Sequence, residues 1–149
     1  MRVAIRRLSH ARMPTELPMP IRASAGAAGF DLHAAVTEPS IVAPGERVRV
    51  PTGLVMALPP GYEGQVRPRS GRAWADGLTV LNAPGTIDSD YRGELLVLLV
   101  NLGQRAVTIS RGDRIAQLVV APVLQVEFDE VEALDETGRG EGGFGHSGA

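Results

Sequence analysis

Residues 78–101 read Leu78-Thr79-Val80-Leu81-Asn82-Ala83-Pro84-Gly85-Thr86-Ile87-Asp88-Ser89-Asp90-Tyr91-Arg92-Gly93-Glu94-Leu95-Leu96-Val97-Leu98-Leu99-Val100-Asn101. Two apolar segments, Leu78–Leu81 and Glu94–Asn101, flank a polar loop over residues 82–93 that contains a Pro-Gly pair. Neither segment shows the 3.6-residue period of an amphipathic helix, and both are rich in Val and Leu. The stretch therefore predicts two β-strands joined by a loop.

The same pattern continues through the chain, because 18 glycines and 11 prolines divide it into short segments rich in Val, Ile and Leu. Turn residues stand at Ala43-Pro44-Gly45, Pro59-Pro60-Gly61, Asn101-Leu102-Gly103 and Arg111-Gly112-Asp113. The further predicted strands are Val3–Ile5, Phe30–Ala35, Arg47–Val50, Leu54–Leu58, Gly64–Arg67, Ala106–Ile109 and Arg114–Val120. Many short strands with regular turns favour an all-β sandwich, jelly roll or barrel.

One short helix is predicted at Ser70–Asp76, with Ser70 as its N-cap and Gly77 just beyond its end. No other segment has helical length. The last twelve residues, 138–149, contain six glycines and follow an acidic stretch. Such a segment cannot build a core, so we expect one domain over residues 1–149, with a core of about 1–136 and a flexible C-terminal arm of about 137–149.

Composition excludes several classes of protein. The 149 residues carry 15 basic and 17 acidic side chains, a net charge of −2, which argues against a nucleic-acid-binding protein. The absence of cysteine excludes disulfides, thiolate metal ligands and a cysteine nucleophile. The N-terminus lacks the pattern of a secretory signal, and the longest aliphatic run, Leu95–Val100, is too short to cross a bilayer. We expect a cytoplasmic protein without membrane or nucleic-acid partners.

The segment Arg67-Pro68-Arg69-Ser70-Gly71 offers a candidate anion site where a strand ends and the helix begins. Free backbone N–H groups and a neighbouring arginine together favour phosphate. The alternative is an ordinary helix start with solvated arginines. Local chemistry alone leaves both interpretations open.

The loop over residues 82–93 offers a second candidate site, because loops on a rigid scaffold are where function concentrates. We assign function to Asp88, which follows the apolar Ile87, and interpret Asp90 as a turn residue. Two aspartates two positions apart could hold a divalent cation, but no third ligand stands nearby.

Three further features are polar or aromatic residues in unexpected places. Gln117 lies within an apolar strand and therefore needs a partner or solvent. Asp31 and His33 alternate with apolar residues, which places them on one face of a strand. Phe144 stands among glycines, where it is either part of a disordered tail or docks on a flat ligand. His10 and His33 have no spaced partners that would make a metal site.

Together these segments resemble the trimeric dUTPase family, over about residues 17–148. All five family motifs appear in order: Ala27-Ala28-Gly29-Phe30-Asp31-Leu32, Pro68-Arg69-Ser70-Gly71, Gly85-Thr86-Ile87-Asp88-Ser89-Asp90-Tyr91-Arg92-Gly93, Gly112-Asp113-Arg114-Ile115-Ala116-Gln117-Leu118 and Arg139-Gly140-Glu141-Gly142-Gly143-Phe144-Gly145. The resemblance implies a jelly-roll β-barrel that forms a homotrimer with shared active sites. It also implies Mg²⁺-dependent hydrolysis of dUTP to dUMP and pyrophosphate, which supplies dUMP for thymidylate synthesis and keeps uracil out of DNA.

The resemblance further implies a role for each matching residue. Asp88 would orient and deprotonate the attacking water, and Tyr91 would pack under the deoxyribose. Mg²⁺ would be held mainly by the substrate phosphates, with Asp31 as a second-shell residue. The phosphates would be held by Arg69, Ser70, Gly71 and Gln117, and at the γ-phosphate by Arg139 and Ser147. The uracil would be bound by Asn82, by the backbone around Thr86 and Ile87, by a backbone contact at Leu96, and by Phe144 with Gly145 from the arm.

Three other functions compete with this one. A dCTP deaminase resembles dUTPases in fold, but the motif that carries Asp88 argues against it. A catalytically silent nucleotide-binding module would not need Asp88, Arg69, Arg139 and Phe144 together. A purely structural jelly roll leaves the glycine-rich tail unexplained.

Overall fold

The computed structural model of the protein describes residues 1–143. Within this range the chain is mostly β, with eleven strands and two short helices. In chain order the elements are β1 (Ala4–Arg7), α1 (Ser9–Arg12), β2 (Phe30–His33), β3 (Ser40–Val42), β4 (Arg47–Pro51), β5 (Leu54–Ala57), β6 (Tyr62–Arg67), α2 (Ser70–Asp76), β7 (Leu78–Val80), β8 (Gly85–Ile87), β9 (Leu96–Asn101), β10 (Val107–Ile109) and β11 (Arg114–Pro122).

The strands form four antiparallel sheets in the described part of the chain. The largest has the order β2-β11-β6-β8, and a three-stranded sheet has the order β4-β9-β7. Two pairs, β1-β5 and β10-β3, complete the set. In the large sheet β11 lies between β2 and β6, so the sheet brings together segments that are far apart in the sequence.

One apolar core joins the sheets, and its residues come from nearly every strand. Leu32, Leu95, Leu99 and Ile109 are completely shielded from solvent. Full burial of each such side chain contributes about 1.5–3 kcal/mol to folding. The Val, Ile and Leu content that predicted strands therefore also supplies the core.

The predicted strands are confirmed with shifted ends, and two strands were missed. The short segment Ser40–Val42 pairs with β10, and Gly85–Ile87 pairs with β6 inside the stretch predicted to be a loop. Both missed strands are three residues long, and Gly85 begins one of them. A three-residue segment that begins with serine or glycine lacks the apolar pattern from which a strand is predicted.

The helix predicted at Ser70–Asp76 is confirmed as α2, but Ser70 is not its N-cap. Arg69 holds that position with an extended backbone, and its carbonyl accepts the bond from the N–H of Ala73 at 3.0 Å. Ser70 is already helical, and the cap has no side-chain hydrogen bond. Gly77 ends the helix in the left-handed conformation, with φ of 70°, as the sequence predicts.

The prediction of a single helix is also wrong, because α1 forms a second one of four residues. Its sequence, Ser-His-Ala-Arg, is too short to show an apolar face. Ala11 at its centre is 1% exposed, so tertiary packing rather than local propensity holds this turn in place.

Residues 123–143 contain no strand or helix, and large apolar side chains in this segment face solvent. Leu124, Phe128 and Leu134 are 85%, 95% and 84% exposed. The division into a core of about 1–136 and an arm of about 137–149 stays a prediction.

Asn101 is the polar side chain that ties the end of β9 to its neighbours. It is fully buried, and its Nδ2 donates to the carbonyls of Val42 at 2.9 Å and Arg105 at 2.8 Å. Its Oδ1 accepts from the N–H of Gly103 at 2.9 Å. Three backbone groups are thus satisfied by one side chain.

We expect Asn101→Ala to lower the free energy of unfolding by about 2–4 kcal/mol, because it leaves these backbone groups without partners in a buried place. Urea unfolding monitored by circular dichroism measures the change. Gln104→Ala, an exposed position in the same turn, serves as the control and should shift the midpoint very little. Equal midpoints for the wild type and Asn101→Ala would contradict this account.

Candidate active site

Strand β11 places three polar residues side by side across the large sheet. Gln117 is the register partner of Asp31 on β2 and of Arg67 on β6. Its Nε2 donates to the carbonyl of Pro68 at 3.0 Å, which satisfies the need for a partner that the sequence predicts. The first, second and fourth motif segments therefore meet at this position.

Asp31 is a half-buried carboxylate that binds two arginines. Its Oδ1 accepts from Nε of Arg69 at 2.9 Å, and its Oδ2 accepts from Nη1 of Arg114 at 3.2 Å. Among the described residues, the contact with Asp31 uses only Nε of Arg69. The two terminal nitrogens of Arg69 are thus left to donate to a ligand, while the carboxylate fixes the direction of the side chain.

We call the opening beside this ion pair the arginine cavity. Its volume is about 440 Å³. Its lining residues are Ala23, Ala27, Ala28, Gly29, Asp31, Arg67, Arg69, Ser70, Gly71, Gln117 and Val119. The lining carries two arginines and one carboxylate that is already paired, so the cavity is suited to an anion.

A second opening, which we call the hairpin cavity, lies where β8 and the loop after it face β9. Its volume is about 360 Å³. Its lining residues are Arg49, Val66, Asn82, Gly85, Thr86, Ile87, Asp88, Tyr91, Glu94, Leu96 and Leu98. The lining combines apolar side chains with an amide, two carboxylates and one arginine, which suits a flat polar ring beside a reacting group.

The loop after β8 is held by its own hydrogen bonds. The N–H of Tyr91 donates to the carbonyl of Asp88 at 3.2 Å, which closes a turn. Arg92 donates from Nη1 to the carbonyls of Ser89 at 2.6 Å and Tyr91 at 2.8 Å. Asp88 is exposed at the start of this turn. A carboxylate on a fixed turn and open to solvent can accept a proton from water.

Most of the predicted site residues that the structure describes line one of these two cavities. Asn82, Thr86, Ile87, Asp88, Tyr91 and Leu96 line the hairpin cavity. Asp31, Arg69, Ser70, Gly71 and Gln117 line the arginine cavity. Arg139 lines neither, and its Nε donates to the carbonyl of Gly142 at 2.7 Å. Phe144, Gly145 and Ser147 lie outside the described residues.

Two site residues were missed by sequence reasoning. Glu94 lines the hairpin cavity and is hydrogen-bonded to the His10 side chain and to the N–H of Gly53. Arg114, although part of a quoted motif, had no predicted role and binds Asp31. The contacts of Glu94 with His10 and of Arg114 with Asp31 join residues 84 and 83 positions apart, and no local pattern indicates such a contact.

No group of three or more His, Asp or Glu side chains within residues 1–143 is arranged to hold a metal ion. Both oxygens of Asp31 already accept from arginines, and His10 is bound to Glu94. A divalent cation at this site would therefore need most of its ligands from a bound molecule. No helix within the described range is long and apolar enough to cross a membrane.

Comparisons with known proteins identify the class. The family model of dUTPase matches residues 15–148, so the chain belongs to the dUTPase family. A deoxyuridine 5'-triphosphate nucleotidohydrolase of Methylocella silvestris is 56% identical over 149 residues, which covers 99% of this chain and 91% of that protein. A protein of the same name from Anaeromyxobacter is 58% identical over 146 residues, covering 98% of this chain and 97% of the relative.

Solved structures agree with this result. The dUTPase of Staphylococcus bacteriophage 80alpha, in a form solved with dUpNHpp, has a TM-score of 0.87 at 27% identity and covers 99% of both chains. A dUTPase variant from phage phi11 of S. aureus, described with a structural Mg(II) ion, has a TM-score of 0.78 at 25% identity. It covers 89% of this chain and 98% of its own. The match extends over nearly the whole chain.

His33 lies on β2 two residues from Asp31 and opposite Arg114. Burial lowers the pKa of His33 below its ordinary value; the nearby Asp31 raises this pKa, while Arg114 and Arg69 lower it further. The folded state therefore binds a proton at His33 less readily than the unfolded chain, whose His pKa is about 6.5.

We expect the free energy of unfolding to fall as the pH drops from about 6.5 through the lowered pKa of His33, because the unfolded state binds more protons in that window. Urea unfolding of the wild type and His33→Gln at pH 7.5 and at pH 5 measures this effect. The variant should lose part of the pH-dependent decline. An identical decline in both proteins would show that His33 does not contribute to it.

Proposed function

We propose that the protein hydrolyses dUTP to dUMP and pyrophosphate. Family membership and relatives named as deoxyuridine 5'-triphosphate nucleotidohydrolases support a dUTP diphosphatase. The observation that supports the proposal is that most of the predicted site residues that the structure describes line two cavities, one with two arginines and the other with apolar side chains and Asp88. A nucleoside triphosphate needs both kinds of site.

In this proposal the active site is shared between copies of the chain in a homotrimer of jelly-roll subunits. Within one chain, the residues expected to bind the base and those expected to bind the phosphates line two different cavities. A neighbouring copy would bring the two sets together. The exposed apolar residues of 123–134 support an oligomer, because large exposed apolar patches commonly mark interfaces.

The hairpin cavity would bind the nucleoside. The backbone of β8 at Thr86 and Ile87, the Asn82 side chain and the backbone at Leu96 would bind the uracil. Tyr91 would pack under the deoxyribose. A 2′-hydroxyl would collide with a ring held in this place, which is how a rigid pocket discriminates against ribose.

The arginine cavity would bind the phosphates. Arg69 would donate from its terminal nitrogens, and Ser70, Gly71 and Gln117 would add hydrogen bonds. Asp31 supports this role because it holds Arg69 at 2.9 Å and Arg114 at 3.2 Å. From the arm, Arg139 and Ser147 would reach the γ-phosphate, while Phe144 and Gly145 would cover the uracil and exclude water.

A magnesium ion fits this arrangement when the substrate supplies most of its ligands. The described residues contain no cluster of carboxylates that would bind the ion without substrate. Asp31, whose oxygens are occupied by arginines, would act as a second-shell residue. When bound, Mg²⁺ neutralises charge on the triphosphate and on the departing pyrophosphate.

Asp88 would act as the general base. It would accept a proton from a water molecule whose oxygen attacks the α-phosphorus, and the bond between the α-phosphorus and the bridging oxygen would break. The products would be dUMP and pyrophosphate. Phosphoryl transfer of this kind needs positioning and charge neutralisation more than covalent chemistry.

The biological role would be to supply dUMP for thymidylate synthesis and to keep uracil out of DNA. The cytoplasmic location and the absence of nucleic-acid and membrane partners stay predictions.

We expect Asp88→Asn to reduce kcat for dUTP by about 10²–10⁴-fold while binding of dUpNHpp is retained, because the amide cannot accept the proton. Pyrophosphate release and calorimetric titration measure the two quantities. Asp90→Asn, the same change at another exposed position of the same loop, is the control and should keep most of the activity. Wild-type turnover in Asp88→Asn would remove Asp88 as the base.

A further inference from the structure

His10 and Glu94 form a contact that ties the N-terminal segment to the hairpin cavity. Nε2 of His10 lies 2.8 Å from Oε1 of Glu94, and both side chains are mostly buried, with 31% and 20% of their surfaces exposed. The residues are 84 positions apart in sequence. His10 belongs to α1, while Glu94 lines the hairpin cavity at the end of the loop that carries Asp88.

Gly53 is hydrogen-bonded on both sides of this contact, to Glu94 and to the residue that precedes α1. The N–H of Gly53 donates to the same Oε1 of Glu94 at 2.7 Å, and its carbonyl accepts from the N–H of Leu8 at 2.8 Å. The buried Ala11 packs directly on Gly53, where a Cβ would collide with it and where φ is +68°. These contacts therefore hold helix α1 in a fixed position relative to Glu94.

Glu94 in turn positions Tyr91. The Tyr91 hydroxyl donates to the Glu94 carbonyl at 3.0 Å. The Tyr91 ring lies directly against Gly93, which leaves no space there for a Cβ. Leu95, the next residue, is fully buried and its N–H donates to the carbonyl of Leu54 at 2.8 Å. Glu94 is thus held from both its side chain and its backbone.

We propose that His10 is a positioning residue for the nucleoside pocket: through Glu94 it fixes Tyr91, and so contributes to dUTP affinity and to discrimination against ribose. This inference rests on the proposed function, since it assigns the position of Tyr91 to a residue of the N-terminal segment. His10 does not line the hairpin cavity. Its effect is therefore on the geometry of Tyr91 and not on the reacting atoms.

The test compares His10→Ala, which removes the contact, with His10→Gln, whose side-chain amide can still donate to Glu94. Arg12→Ala, an exposed position on the same helix, is the matched control. The measurements are kcat and KM for dUTP, the ratio of kcat/KM for dUTP to that for UTP, the Kd of dUpNHpp, and the thermal midpoint. Glu94→Gln, which keeps an oxygen for the Gly53 N–H, is the second variant if His10→Ala does not fold.

We expect His10→Ala to raise KM for dUTP and Kd for dUpNHpp by about three- to tenfold, the factor of one lost hydrogen bond. We expect kcat to change less than about twofold, and the dUTP to UTP ratio to fall by the same factor as the affinity. His10→Gln should restore most of the affinity and of the ratio, and Arg12→Ala should match the wild type. Glu94→Gln should change the same quantities in the same direction.

Unchanged KM and an unchanged nucleotide ratio in folded His10→Ala would overturn the inference. A lowered thermal midpoint with reduced kcat but unchanged KM would also overturn it, because that result describes a smaller folded fraction and not a displaced Tyr91. These outcomes leave wild-type dUTP hydrolysis intact. An inactive wild type would instead refute the proposed function on which the inference rests.

Discussion

Strand β11 is hydrogen-bonded along both edges, to β2 on one side and to β6 on the other, and the rest of the site depends on this double pairing. The register fixes Gln117 between Asp31 and Arg67. Because side-chain direction alternates along a strand, a slip of one residue would move these polar groups into the core and expose their apolar neighbours. The buried residues of β11, such as Ile115 and Leu118, therefore fix the register of the arginine cavity as well as the core.

The free-energy cost of partly burying the Asp31 carboxylate is limited by its ion pairs with Arg69 and Arg114. A half-buried carboxylate without partners would be strongly destabilising, and one ion pair only partly offsets the loss of hydration. Asp31 has two arginine partners, and both contacts remain partly open to solvent. Burial lowers the pKa of the neighbouring His33, while Asp31 raises this pKa and the two arginines lower it. Asp31 and its two arginine partners thus set both the charge at this end of the sheet and the direction of the Arg69 side chain.

Local signals in the sequence were sufficient for much of the fold. Val- and Leu-rich segments bounded by Pro and Gly predicted the longer strands, and Gly77 marked the end of α2 correctly. The short strands β3 and β8 were missed because they begin with Ser40 and Gly85 and are held by pairing with β10 and β6 and not by their own pattern. The N-cap was predicted one residue too late, at Ser70, since the extended Arg69 already provides the first helical carbonyl.

For the candidate site, the roles assigned from the motifs stay predictions, and most of the predicted site residues that the structure describes line one of two cavities. The partners that hold these residues were not predictable. The contact of Arg114 with Asp31 spans 83 positions, and that of His10 with Glu94 spans 84. Sequence periodicity carries information over a few residues, whereas such contacts depend on the packed fold. A homotrimer with shared active sites, as proposed above, would explain why the two cavities in one chain are separate.

The most direct measurement of the central claim is product release from dUTP, dCTP, dTTP and UTP in parallel, with Mg²⁺ present and with pyrophosphate and ammonia assayed in the same samples. The account predicts pyrophosphate from dUTP, far less from the other three nucleotides, and no ammonia. Ammonia from dCTP would instead indicate a deaminase. No product from any nucleotide, with the protein folded and oligomeric, would contradict hydrolysis and favour a silent nucleotide-binding module.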